Sequence, residues 1–274
     1  MTTLAPLKHR YTEVMERVAQ AARASGRRPE DILVVAVTKY AELDDVRELI
    51  QFGHRDFGES RVQQLIQRAA IINEMIDRQK RLPGVSADHR AEIEALRQRG
   101  ATDRIGVNVT GPVRWHMIGH LQRNKVRKTI EAARLIHSVD SLRLVEEIQA
   151  AAFKRDVEVD VLVQVNCSGE EQKYGCAVAA APYLCEQIDT MVHLRVRGLM
   201  TMAPLTENEG DIRRSFERCA DLFGEIQKRG IGEGRFNILS MGMTHDFELA
   251  IEHGANMVRI GSAFFGDKQV EPEI

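Results

Sequence analysis

The period of the hydrophobic pattern changes abruptly near residue 38. "ILVVAV" (Ile32–Val37) is an unbroken, β-branched apolar run, as in a strand buried on both faces. "ELDDVRELIQFG" follows, with Leu43, Val46, Leu49 and Ile50 on one helical stripe and Gly53 as its stop. The same switch recurs to the end of the chain. Strand-like segments stand at "HRDFGE", "RWHMIGH" (Arg114–His120), "RLIHSVD", "VEVDVLVQVN" (Val157–Asn166), "VHLRVRGLMTM", "RFNILSM" and "NMVRIGSAFFG". Helix-like segments separate them: about Arg61–Arg81, "NKVRKTIEAA", "SLRLVEEIQAAAFKR", "VAAAPYLCEQID", about Asp211–Arg229 and "THDFELAIEHG". The count is eight strands, seven of them followed by helices, with an amphipathic helix ahead of the first.

Eight such units in 274 residues predict an α/β protein, a single (β/α)8 TIM barrel over residues 1–274. The helix before the first strand is expected to cover the outside of the last. A doubly wound open sheet is the competing reading. No GxGxxG follows the first strand, and no composition break divides the chain into halves, so the closed barrel is preferred. One segment breaks the rhythm. Gln79–Val113 carries Pro, Gly and scattered charge, and reads as an insertion on a βα loop with one short helix near Ala91–Arg97.

Composition narrows the classes of function. Hydrophobic residues make up 43% and charged residues 28%, as in an ordinary globular protein. A net charge of −2 gives no global field toward nucleic acid or an anionic membrane. No apolar run is long enough to span a bilayer, and the N-terminus lacks the apolar core of a signal peptide, so a cytoplasmic protein is expected. Cys167, Cys176, Cys185 and Cys219 form neither a CxxC pair nor a cluster with histidine at zinc spacing, and read as reduced thiols rather than metal ligands.

A barrel of this kind places its site at the C-terminal ends of the strands. There this sequence puts Lys39 (strand one), Glu59 and Ser60 (two), His120 (three), Ser138 and Asp140 (four), Asn166 (five) and Thr201 (six). Strand seven adds Ser240, Met241 and Gly242, and strand eight adds Arg259, Gly261 and Ser262. "SMGMTHD" is a small-residue turn entering a helix, with Thr244 as its expected N-cap, and "RIGSAFFG" carries a second glycine turn. Backbone N–H groups in such turns suit an anion, and phosphate sites recur after the last two barrel strands. A plain turn is the alternative reading of the first, and a solvated strand end that of Lys39. Together the two turns and the lysine amine suit a phosphorylated aldehyde, such as pyridoxal 5′-phosphate (PLP). Arg259 interrupts an apolar strand, so it needs a partner: a pyridine nitrogen or a carboxylate inside the barrel. Against the nitrogen, an arginine that cannot yield its proton would keep the ring a weak electron sink.

The motifs "VAVTKY", "FGES", "WHMIGHLQRNK", "HSVDS", "VNCSGEEQKYG", "RGLMTM", "LSMGMTHDFELAI" and "GANMVRIGSAFFG" appear in one order across nearly the whole chain. In this the sequence resembles the pyridoxal phosphate homeostasis protein family, barrels similar to the N-terminal domain of alanine racemase. The resemblance implies covalent PLP on Lys39 as a Schiff base, without efficient catalysis. It implies phosphate contacts from Ser240, Met241, Gly242 and Gly261, with Ser262 and Thr201 beside them. Arg259 would face the pyridine nitrogen, Asn166 and Met200 would line the ring, and His120 would sit at the mouth. The implied partners are PLP itself and PLP-dependent apoenzymes, and the implied state is a monomer or weak dimer. This chain departs from the family with Ser60 in place of the asparagine of "FGEN", with Thr244 in place of serine, and with the insertion.

Three functions are weighed. A carrier that buffers PLP and delivers it is the first. A PLP-dependent amino-acid racemase is the second, and it needs an acid–base group opposite the lysine. In alanine racemase that tyrosine comes from a C-terminal β-domain, which a chain stopping just past the barrel at Ile274 is expected to lack. Tyr11, Tyr40, Tyr174 and Tyr183 offer no evident replacement. A Schiff-base aldolase working through Lys39 without PLP is the third, and it leaves Arg259 facing no ring.

Overall fold

A computed structural model describes residues 5–81, 112–170 and 174–266. The helix expected near residues 91–97, and with it most of the insertion, lies outside the described residues.

Buried β-branched runs set the architecture. The strands β1 (Leu33–Val37), β2 (Asp56–Glu59), β3 (Arg114–Met117), β4 (Ala133–Val139), β5 (Val159–Gln164), β6 (Leu194–Met200), β7 (Ile238–Ser240) and β8 (Met257–Ile260) pair in parallel, each with its neighbour in sequence. β8 pairs back onto β1 and closes the barrel, as the alternation predicted. Helices α1 (Leu7–Ala24), α2 (Leu43–Gln51), α3 (Val62–Arg81), α4 (Val126–Ala132), α5 (Leu142–Arg155), α6 (Ala181–Asp189), α7 (Glu209–Lys228), α8 (Phe247–Glu252) and α9 (Ser262–Phe265) accompany the strands.

α1 fills the place of the helix that would otherwise link β8 back to β1. Its stripe of Leu7, Val14, Val18 and Ala22 is buried. Tyr11 packs its ring against Phe52, His54 and Phe264. Arg17 Nε donates to Glu248 at 2.7 Å on α8, and just past α1 Arg27 NH1 donates to Ala255 O at 2.8 Å. These bonds tie the N-terminal segment to the last βα unit.

Side chains on one strand alternate between the barrel interior and the helix-covered face. Val35, Leu135, Leu162, Met200 and Met257 pack together as an apolar interior layer. Two residues on toward the C-terminal ends, the same parity places His137 after Leu135 and Arg259 after Met257. A polar layer therefore sits above the apolar one. Below, at the N-terminal ends, Asp160 accepts from Arg134 at 2.7 Å and Arg197 at 3.0 Å. No helix among the described residues is long and apolar enough to cross a membrane.

Two local expectations fail. "NMVRIGSAFFG" is a strand only to Ile260, and Ser262–Phe265 turns into α9, which buries Phe264 and Phe265. Thr244 does not cap the helix after β7. Asp246 takes the N-cap position of α8, and its Oδ1 accepts from Met243 N at 2.5 Å.

Candidate functional site at the barrel mouth

Lys39 lies two residues beyond β1, exposed, with its Nζ 4.6 Å from the centre of the Tyr40 ring. It makes no ion pair among the described residues. The strand end beneath it is braced. Thr38 Oγ1 donates to Glu59 Oε1 at 2.5 Å, and Arg68 Nε lies 2.9 Å from the same oxygen. Glu59 is fully buried, so burial pushes its pKa up, against the opposing pull of the Thr38 hydrogen bond and the Arg68 charge. Glu59 Oε2 and Arg68 NH1 are buried without a partner. Glu59 was legible as a strand-end residue; Arg68, on the flank of α3, was not.

Ser60 lies just beyond β2. A Cβ on Gly119 would collide with the Ser60 backbone, so glycine in "WHMIGH" lets the β3 loop close over that strand end. His120 is exposed at the rim. Its ring stacks on Tyr174 at 4.4 Å, and its Nδ1 is 3.9 Å from Asp140. Tyr174 is thus brought to the mouth from a remote stretch of sequence, a placement that required the fold.

Arg259 on β8 decides the chemistry of the interior. It is 4% exposed. NH1 donates to Ser240 Oγ at 2.7 Å and NH2 to Thr201 O at 2.9 Å. No carboxylate forms an ion pair with it among the described residues, so the barrel-interior salt bridge is not found. Burial pulls its pKa down to about 10, with Asp246 and Cys219 partly offsetting, and it stays charged at neutral pH.

The other expected residues divide by what their side chains already do. Ser240 is fully buried, and its hydroxyl faces Arg259 and His137 across the interior. Thr201 Oγ1 donates to Val165 O at 2.9 Å. Met200 belongs to the interior apolar layer. Asn166 turns onto its own loop, with Nδ2 donating to Glu170 O at 2.8 Å and Oδ1 accepting from Ser168 Oγ at 3.0 Å.

The two turns after β7 and β8 do meet. Thr244 Oγ1 accepts from Gly261 N at 3.3 Å and more weakly from Ala263 N at 3.5 Å. Backbone N–H groups of the β8 turn thus converge on one oxygen carried by the β7 turn. Met241 N is committed to Met257 O at 3.1 Å. Gly242 has φ +93, and a Cβ there would lie 2.5 Å from that of Ala250, so only glycine fits the turn. Ser262 begins α9 beside these donors. No group of three or more potential metal-ligating side chains assembles among the described residues.

The chain belongs to the class described as alanine racemase, N-terminal domain, whose family model matches residues 7–269. Within that class the chain belongs to the family of pyridoxal phosphate homeostasis proteins. A protein of that name from Aquifex aeolicus is 33% identical over 264 residues, covering 95% of this chain and 97% of that one. A crystal structure of a protein of unknown function from Bifidobacterium adolescentis is 32% identical, with a TM-score of 0.79 and 94% of each chain covered. The structure of PipY from Synechococcus elongatus with PLP bound is 27% identical, with a TM-score of 0.67, covering 91% of this chain and 100% of that one.

Proposed function

We propose that this chain binds PLP at the barrel mouth and serves intracellular PLP homeostasis as a carrier that buffers the cofactor and passes it to apoenzymes. One observation carries the reading. A fully buried guanidinium has neutral acceptors only, at the same end of the barrel as a lysine amine held in no ion pair. A buried cation without a carboxylate is costly unless something else uses it. A pyridine nitrogen is an acceptor of the right kind.

The donor set fits the rest of the molecule. When bound, PLP supplies an aldehyde carbon for condensation with an amine and an aromatic ring that withdraws electrons. Lys39 provides the amine. Gly261 and Ala263 provide N–H donors that a phosphate oxygen can share with, or take over from, Thr244 Oγ1. Met241, Gly242 and Ser262 shape that pocket by their backbone. Ser240 and Thr201 act indirectly, by fixing Arg259, rather than by offering hydroxyls to phosphate. Met200 floors the site from the interior layer. Asn166 fixes the β5 loop against which the ring would lie.

Arg259 would set the electronics of the ring it faces. It donates a hydrogen bond but holds its proton, so a facing ring nitrogen stays unprotonated and the ring withdraws electrons weakly. A rim of His120, Tyr174 and Asp140 is the feature a racemase reading would call on.

Titration of the ligand-free protein with PLP, followed by assays with L- and D-alanine and serine, tests the proposal. Stoichiometric uptake with negligible interconversion is expected. Rapid racemisation would overturn the carrier reading, and failure to bind would overturn the cofactor.

A further inference from the structure

A hydrogen-bonded chain of buried groups crosses the barrel interior behind Arg259. Arg259 NH1 donates to Ser240 Oγ at 2.7 Å, and Ser240 Oγ lies 3.2 Å from His137 Nδ1. His137 Nε2 lies 2.9 Å from His116 Nδ1, and His116 Nε2 lies 3.1 Å from Asp56 Oδ1. Arg114 closes the far end, with Nε donating to Asp56 Oδ1 at 2.7 Å and NH2 donating to Oδ2. His116 and His137 are 3% and 0% exposed, so the chain is shielded from bulk solvent.

With both rings neutral, donor and acceptor rules fix its direction from the Asp56 end: a carboxylate only accepts, so His116 carries its hydrogen on Nε2 and leaves Nδ1 to accept from His137. An arginine only donates, so Ser240 Oγ accepts from it and has one proton left to give. A neutral His137 with its hydrogen on Nε2 has a bare Nδ1, and the serine proton is the one that meets it. His137 Nε2–H then donates to His116 Nδ1, and His116 Nε2–H donates to the Asp56 carboxylate. Every link points the same way, and such chains strengthen each link by polarising the next. Burial above all holds the pKa of His137 well below the usual histidine value, in keeping with a neutral ring. The groups that face His137 are His116 from β3, Ser240 from β7 and Arg259 from β8, with Asp56 from β2 behind His116.

We infer that Asp56, His116, His137 and Ser240 form a one-directional relay that orients the Arg259 guanidinium toward the barrel mouth. Asp56, His116 and His137 are positioning residues: they act through Ser240. The inference deepens the PLP reading of the same site and rests on it for what Arg259 faces. The relay itself stands on the interior geometry.

Two arms test it. In the first, 15N-histidine NMR is recorded on the ligand-free protein from pH 6 to 8. Both rings are expected neutral with hydrogen on Nε2, and Asp56→Asn is expected to move the resonances of both. A charged His116, or His137 with hydrogen on Nδ1, would reverse the chain and overturn the inference. In the second, PLP affinity and the absorption of the bound cofactor are compared between wild type, Asp56→Asn, His137→Phe and His137→Asn. Asp56→Asn and His137→Phe are expected to weaken binding about tenfold and shift the band. His137→Asn, whose Oδ1 stands in for Nδ1 toward Ser240, is expected to recover most of the affinity. If all three variants bind as wild type with an unshifted band, the relay does not reach Arg259. If wild type itself takes up no PLP, the cofactor reading fails, and the NMR arm still decides the relay.

Discussion

Arg259 occupies the place in an apolar strand where a methionine would pack at less cost. Its two hydrogen-bond acceptors, Ser240 Oγ and Thr201 O, are neutral, and among the described residues no carboxylate pairs with it to return the full cost of burying its charge. Arg259→Met is therefore expected to leave the ligand-free protein as stable as wild type, or about 1–3 kcal/mol more so, while weakening PLP binding at least tenfold. Urea denaturation together with a PLP titration measures both. A loss of several kcal/mol would make Arg259 a structural residue instead. The residue itself was conspicuous in the sequence as a charge inside "MVRIG". Its neighbours were not, because His116, His137 and Ser240 lie on separate strands that only barrel closure brings together. The parity of Leu135 with His137 and of Met257 with Arg259 was a readable hint that these side chains share the interior.

At the scale of elements, the eight strands were legible because strands buried on both faces read as near-continuous apolar runs. The ends were less so. Gly261 and the aromatic pair Phe264 and Phe265 looked like a continuing strand, yet α9 forms there and buries both rings. Thr244 carried the sequence signal of a helix cap, but the opposing β8 turn claims its hydroxyl. Local chemistry could not reveal a partner 17 residues away. α1 is the element whose docking is easiest to test. Val18 is 1% exposed in the seam between α1 and the last βα unit. Val18→Asp places a carboxylate there without a partner and is expected to cost at least about 3 kcal/mol, read as a fall in the urea midpoint. A cost below about 1 kcal/mol would mean that α1 is not held against the barrel.

The whole molecule carries an acid sensitivity set by its buried histidines. Burial lowers the pKa of His54 to about 4, against the charge and carbonyl hydrogen bond of Asp56, and His137 is lowered in the same direction. Between about 6.5 and 4 the unfolded chain binds protons that the folded chain refuses. Their contribution is therefore complete above pH 6.5 and is lost as pH falls toward 4, with His54 alone accounting for about 3 kcal/mol. Asp56 acts lower. Burial raises it, but hydrogen bonds from His116 and Arg114 outweigh that and hold it at about 2, so its contribution is lost only as pH falls from 3.8 toward 2. Stability measured between pH 7 and 4.5 should decline, with the raised carboxyls of Glu59 and Asp246 working against the two histidines, and His54→Phe should reduce the slope by about one proton. A flat profile would contradict the buried, neutral state of both rings. At the other end of the barrel, the amine of Lys39 is placed to meet a cofactor aldehyde in the proposed function. Absorption of the purified protein with PLP, before and after borohydride, with peptide mapping, tests it most directly. The expected result is a yellow protein whose pyridoxyl group is fixed by borohydride on Lys39 and is absent from Lys39→Ala. A colourless protein that fails to take up added PLP, or a label on another lysine, would contradict it.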